Sequence, residues 1–153
     1  YGACVMHAYR SQLDQETHLA LVFGDLAQAG DAPVLVRVQA QSALDDLFGR
    51  RGAALDAAQA EIAQSGCGVI VYIRHAGEKD WVTQVDDAAL RQRGLLPDAG
   101  VSDAQRDYGV GAQILADLGV RRVILLRNSQ AKLPAIHGFG LEVVGQRALQ
   151  DLT

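Results

Sequence analysis

Residues able to do chemistry gather in three segments of the chain. "YIRHAGEKDW" (72–81) releases Arg74, His75, Glu78, Lys79 and Asp80 just past an apolar run. "DAQRDYGVGAQILADLGV" (103–120) sets Arg106 and Asp107 at a predicted helix start, where Gly109 and Gly111 leave backbone N–H groups unobstructed. "LLRNSQAKL" (125–133) carries Arg127, Asn128 and Lys132 at another strand end. Cations at strand carboxyl ends, with a helix N-terminus nearby, suit an anionic ligand. Each group also has a plain structural reading. Arg74 and His75 fit a solvated strand end, and Asp107 a carboxylate in a first helical turn. Arg106 fits an ion pair with Asp103 or Asp107. Tyr72 and Tyr108 fit packing residues with bonded hydroxyls. His18 reads as structural, and His75 and His137 have no partner visible in sequence.

A fourth strand end is chemically silent. From Val34 to Ala60 a hydrophobic strand passes through a polar bend into an alanine-rich helix. Between Gln39 and Gly52 there is no Cys, His or Glu, only Asp45, Asp46, Arg50 and Arg51. The two cysteines, Cys4 and Cys67, are far apart and read as free buried thiols. Without nearby histidines they make a poor zinc site, because structural zinc normally takes four N or S ligands.

The elements that must position these residues follow from hydrophobic periodicity. Residues 3–9, 18–24 and 33–39 are β-rich runs with short polar turns between them, which predicts an antiparallel meander. From Ala53, Leu55, Ala58 and Ile62 form a helical stripe that Ser65-Gly66 closes. "GVIVYI" (68–73) is a buried strand. A short helix over 86–93 stops at Gly94, and another begins near Asp107 with Val110, Ile114, Leu115 and Leu118 inward, ending at Gly119. Strands at 121–126 and 140–144 complete the set. The strand–helix–strand order of the second half requires parallel pairing through helical crossovers. The prediction is one α/β domain over residues 1–153, a mixed β-sheet flanked by helices, with no internal repeat or linker.

The totals agree and exclude several functions. At 153 residues and 49% hydrophobic content the chain can build a real core. A net charge of −4 with mixed signs argues against nucleic acid as a partner. No apolar run is long enough to span a bilayer and no signal peptide is evident, so the expected setting is cytoplasmic, without a membrane. The chain opens at Tyr1 without an initiator Met, which is expected of a piece of something longer.

Together, "AYRSQLDQETHLALVFGD" (8–25), "PVLVRVQ", "GVIVYIR", "RDYGVGAQILADLGV" and "LLRNSQAK" resemble, in order and spacing, the GTP cyclohydrolase II family. "RDYGVGAQIL" is the most specific piece, and the resemblance covers essentially the whole chain. It implies that family's α/β fold, a homodimer, and a zinc-dependent reaction that opens the imidazole ring of GTP, releasing formate and pyrophosphate. It also implies a zinc ion on three cysteines: one shortly after the "VLVRV" strand, then a Cys-x-Cys pair before the helix. The metal would lower the pKa of its bound water.

Against that pattern the departures are specific. The first cysteine position is Ser42, and "DLFGRRG" runs almost directly into the helix where the Cys-x-Cys pair would stand. A serine hydroxyl does not replace a zinc thiolate. After the "YIR" strand the family's Gln-Glu-Gly-Arg-Gly-Ile-Gly loop keeps only Arg74 and Gly77. The acidic position two residues before the family's catalytic arginine is Ala104, while the arginine persists as Arg106. The family's Leu-Thr-Asn-Asn-Pro reads "LRNSQ", so Arg127 replaces a small threonine and would fill the pocket, while Asn128 and Lys132 survive.

The expectation is therefore a degenerate member with no zinc cofactor and, at most, Arg106 as a vestigial catalytic group. By resemblance it would be fused behind 3,4-dihydroxy-2-butanone 4-phosphate synthase, with that N-terminal synthase domain in cis and any Mg belonging to it. The domain would then dimerise or regulate the fused enzyme of riboflavin synthesis. The alternative is a binding module holding a nucleotide or phosphate on Arg74, Arg106, Asn128 and Lys132. A third reading, a metal-independent hydrolase using His75 and Glu78, has nothing in the sequence that fixes the two groups together.

Overall fold

Continuous apolar runs, rather than alternating ones, mark strands covered on both faces. Two such runs lie at the centre of this molecule: β3 (Val34–Ala40) and β4 (Gly68–Ile73). The computed structural model describes residues 1–12, 14–48, 50–75, 80–96, 101–127 and 139–149, with the backbone alone for 50, 51 and 101–105. The other elements are β1 (Cys4–Arg10), β2 (Thr17–Phe23), α1 (Leu26–Ala29), α2 (Ala43–Phe48), α3 (Arg50–Ser65), α4 (Trp81–Gln92), α5 (Val101–Asp117), β5 (Arg122–Leu126) and β6 (Glu142–Arg147).

The strands form one six-stranded sheet in the order β1-β2-β4-β3-β5-β6. β1–β2 and β2–β4 are antiparallel, whereas β3 pairs parallel with both β4 and β5, and β5 parallel with β6. The α/β class with a mixed, helix-flanked sheet is as expected. The antiparallel meander over the first three runs is not. β4 inserts between β2 and β3, so β3 becomes a central parallel strand instead of the third leg of a meander. The turn that suggested a hairpin contains α1, capped by Asp25, whose side chain accepts from the Ala27 N–H.

Each face of the sheet buries one helix. Val36, Val71 and Leu125 meet Ile114 and Leu115 of α5 on one side. Leu35, Ile70 and Leu126 meet Ala58 and Ile62 of α3 on the other. Because side chains alternate along a strand, adjacent residues of β3 serve opposite cores. α5 lies close against the sheet at Gly111, where an added Cβ would come within 3.2 Å of a Val38 methyl.

Three helix starts differ from expectation. α3 begins at Arg50, α4 at Trp81 and α5 at Val101, rather than at 53, 86 and 107. At α4 the reason is a cap: the Asp80 carboxylate accepts from Val82 N–H and Thr83 N–H. For α5 the consequence is functional. Asp107, Gly109 and Gly111 sit within the helix, so neither a first-turn carboxylate nor free amides exist there. The last strand also runs later than 140–144, at Glu142–Arg147. Cys4 and Cys67 are free thiols but not buried ones, Cys4 being exposed and Cys67 half-buried.

Candidate functional site

The parallel strands β4, β3 and β5 point their carboxyl ends to one edge of the sheet, and polar side chains concentrate there on both faces. The α3 face holds the silent bend, which is folded as α2. Gln39, directly across from Tyr72 in the register, donates from Nε2 to Asp46 Oδ1 at 2.8 Å. The Ser42 backbone N–H donates to Asp46 Oδ2 at 3.0 Å, and the Tyr72 hydroxyl donates to that same oxygen. Ser42 Oγ donates to Asp45 Oδ2 at 3.1 Å. Ser-x-x-Asp is a capping pattern, and here it starts a helix. Arg37 extends the network, donating to Gln39 Oε1 at 3.2 Å and to the Leu126 carbonyl at 3.1 Å. α3 follows immediately. Gly52 makes this tight junction feasible, since a Cβ there would lie 2.3 Å from the Asp46 carbonyl oxygen.

On the opposite face, three consecutive residues of α5 reach three different places. Arg106 Nη2 binds Asp14 Oδ2 at 2.5 Å in the β1–β2 turn. Asp107 Oδ1 lies 3.2 Å from His75 Nε2 past the end of β4. Tyr108 lies under the guanidinium of Arg127, 5.9 Å from ring centroid to Cζ, past the end of β5. The ion-pair reading of Arg106 therefore stands with a partner other than Asp103 or Asp107, and Asp107 supplies the partner of His75 that the sequence hid. Tyr72 is hydrogen-bonded, and Tyr108 packs against the core beneath α5.

Electrostatics here are largely settled within the protein. Asp14 is held at a pKa of about 2, against an ordinary 3.8. The Glu16 backbone N–H contributes most, then the Ser11 side chain, then the Arg106 hydrogen bond and charge, with partial burial opposing. Arg74 lies 3.7 Å from Glu16 and donates from Nε to Gln41 Oε1 at 3.2 Å. His18 is buried, and burial holds its pKa below the ordinary value against the raising influence of Asp14 and Glu16. Its Nδ1 accepts from the Arg74 N–H at 3.1 Å, so the neutral ring carries its proton on Nε2. Of the four predicted ligand residues, Arg74 and Arg106 flank the β1–β2 turn on acidic partners, and Asn128 and Lys132 lie outside the described residues, as do Glu78 and His137. Arg127, which by resemblance fills the pocket, is 8% exposed, and its Nε and Nη1 have no hydrogen-bond partner among the described residues.

These features define an α/β domain with a polar edge at the carboxyl ends of its parallel strands. A family model described as GTP cyclohydrolase II matches residues 1–148, and the chain belongs to that family. Riboflavin biosynthesis protein RibBA of Salinispora arenicola is 39% identical over 157 residues, covering 95% of this chain and 37% of the relative. The protein of that name from Bacillus subtilis is 36% identical over 169 residues, covering 98% and 40% respectively. Its counterpart in Mycobacterium tuberculosis is 40% identical over 149 residues, covering 89% and 35%. The chain thus spans about two fifths of the length of these curated relatives.

The residues present do not fit the zinc that the family resemblance implies. The Ser42 hydroxyl is turned to Asp45 and its N–H to Asp46. Cys4 and Cys67 cannot substitute. The registers Cys4–Phe23, Phe23–Gly68 and Leu35–Gly68 place them at the end of the sheet opposite Ser42. Burial, with Asp25, pushes the Cys67 thiol pKa upward, away from a thiolate. Among the described residues no group of three or more His, Cys, Asp or Glu is arranged to hold a metal.

Two outcomes follow. Asp46→Ala will cost about 1–3 kcal/mol in urea unfolding and Tyr72→Phe about 0.5–1.5, and the double variant will fall short of their sum by about 0.5 or more. Simple additivity would mean that the two groups do not share a network. Secondly, a lowered carboxylate pKa stabilises the fold fully above about pH 4, and that stability is lost as pH falls through about 2. In an NMR titration the Asp14 midpoint will move upward in Arg106→Met but only part of the way, because the Glu16 N–H remains. An unmoved midpoint would remove Arg106 from the account.

Proposed function

We propose that this chain is a non-catalytic GTP cyclohydrolase II-type domain of a riboflavin-biosynthesis polypeptide. On this reading it is cytoplasmic, lies behind a 3,4-dihydroxy-2-butanone 4-phosphate synthase domain in cis, and dimerises or regulates that enzyme without binding zinc. One observation carries the proposal. The serine at the first thiolate position caps α2, spending its hydroxyl and amide on Asp45 and Asp46. Without a metal-bound hydroxide, attack on a purine ring carbon lacks its nucleophile, and Arg106, held on Asp14, is no base.

The names of the relatives support the pathway, and their greater length supports a fused partner. A role in association is supported by apolar side chains left in solvent. Leu47 and Phe48 of α2 and Trp81, Val82 and Val85 of α4 are all exposed. Among the described residues, no helix is long and apolar enough to cross a membrane. The alternative, a nucleotide site on Arg74, Arg106, Asn128 and Lys132, has weaker support. Its two described arginines already meet Glu16 and Asp14.

The test is formate release from GTP by the purified chain, with added zinc and after chelation. The expected result is no formate above the protein-free control in either condition. Zinc-dependent formate release would overturn the proposal.

A further inference from the structure

The two edges of the sheet are built differently. At one edge β6 is guarded against further pairing. Its register with β5 is broken between Val123 and Ile124, and Glu142 and Arg147 at its ends form ion pairs with Arg122 and Glu61. Bulges and edge charges are the usual protections of a free strand. At the other edge β1 has neither. Its register with β2 runs unbroken from Cys4–Phe23 to Arg10–Thr17, and among the described residues it pairs with no other strand. From Cys4 to Tyr9 it carries no Lys, Arg, Asp, Glu, Gly or Pro.

The two cores scarcely reach this strand. Six of its seven side chains are exposed, Val5 at 60% and Met6 at 59%. Val5 and His7 stand opposite Val22 and Ala20 on the α5 face, and Met6 and Ala8 opposite Leu21 and Leu19 on the α3 face. Only Tyr9 is half-buried, its hydroxyl donating to Asp117 Oδ2 of α5 at 3.0 Å. β1 therefore extends past both helices with apolar side chains on either face. A flat, apolar edge of this length is a template for another strand.

We propose that the free edge of β1 is an interface between two copies of this chain. Each β1 pairs antiparallel with the other across a two-fold axis, so that two six-stranded sheets become continuous. An antiparallel pair of identical strands is self-complementary, as a two-fold contact requires. All seven residues overlap when the axis passes beside His7. Met6 then faces Ala8 of the second copy, and Val5 faces its Tyr9, a β-branched residue against an aromatic one. The charge pattern fits this occupant. Arg10 is the only Lys, Arg, Asp or Glu of β1, and an antiparallel self-pair sends its two copies to opposite ends. A charged strand of another protein would find that single cation to meet, at one end. The inference deepens the associating role proposed above and rests on that part of the reading, naming where the copies meet.

Analytical ultracentrifugation of the purified chain over a range of concentrations tests it, with amide hydrogen exchange on β1 alongside. The expected species is a dimer, in which the β1 amides exchange more slowly than in the dilute monomer. His7→Lys sets two ammonium groups directly opposite at the axis and should raise the dimer dissociation constant roughly tenfold or more. Phe48→Glu, on the exposed surface of α2, should leave it unchanged. Should His7→Lys not fold, Met6→Lys decides, since its two copies lie diagonally across the axis. A monomeric wild type would overturn the inference. So would a dimer undisturbed by the lysine variant, or one dissociated by Phe48→Glu. None of these results touches formate release or zinc content, on which the non-catalytic reading stands or falls separately.

Discussion

Much of this molecule turns on one carboxylate. Asp46 accepts from Gln39 of β3, from the Ser42 amide and from the Tyr72 hydroxyl of β4, so a six-residue helix is tied to both central strands. Hydrogen bonds to a carboxylate are among the stronger ones a protein makes. A helix as short as α2 cannot persist on propensity alone. Removing the carboxylate would free α2, loosen the junction at Gly52 where α3 begins, and expose the end of β3. The bend that reads as chemically empty is therefore a structural joint. Its hydrogen bonds occupy the ground on which family resemblance would set thiolates.

The other face of the sheet follows from the register of α5. Its core stripe, Ala112, Ile114 and Leu115, is fixed on Val36, Val71 and Leu125. That docking aims the preceding turn at the strand ends. Arg106 goes to the β1–β2 turn, Asp107 to His75, and Tyr108 to Arg127. One helix thus distributes three polar residues over three strands. Arg106 is closed in an ion pair with Asp14, and the Asp107 carboxylate lies 3.2 Å from the His75 ring, so this edge's charges face partners within the chain.

How far the sequence could be read varied with the physical signal. β4 was legible to the residue, because a strand covered by helices on both faces is a continuous apolar run. The inward stripe of α5 was legible too, since Val110, Ile114, Leu115 and Leu118 recur at helical spacing and all pack into one core. α2 was not, because its Leu47 and Phe48 face solvent and leave no amphipathic period. Arg-Asp-Tyr-Gly imitates a helix beginning, but α5 already runs from Val101, and it is Gly111, two residues beyond that motif, that packs closely on Val38. The pairing of Arg106 with Asp14 spans 92 positions, and of Tyr72 with Asp46 26, distances over which local pattern carries no information. That no cysteine lies between Gln39 and Gly52 is plain in the sequence, whereas the bonds that Ser42 makes to Asp45 and Asp46 needed the three-dimensional structure.

The central claim is that hydrogen bonds around Ser42 and Asp46 stand in the place of a metal site. The most direct measurement is the metal content of the purified chain by mass spectrometry, after incubation with zinc and passage over a desalting column. The account predicts only trace zinc, unchanged in Ser42→Ala. Stoichiometric zinc that survives the column would contradict it.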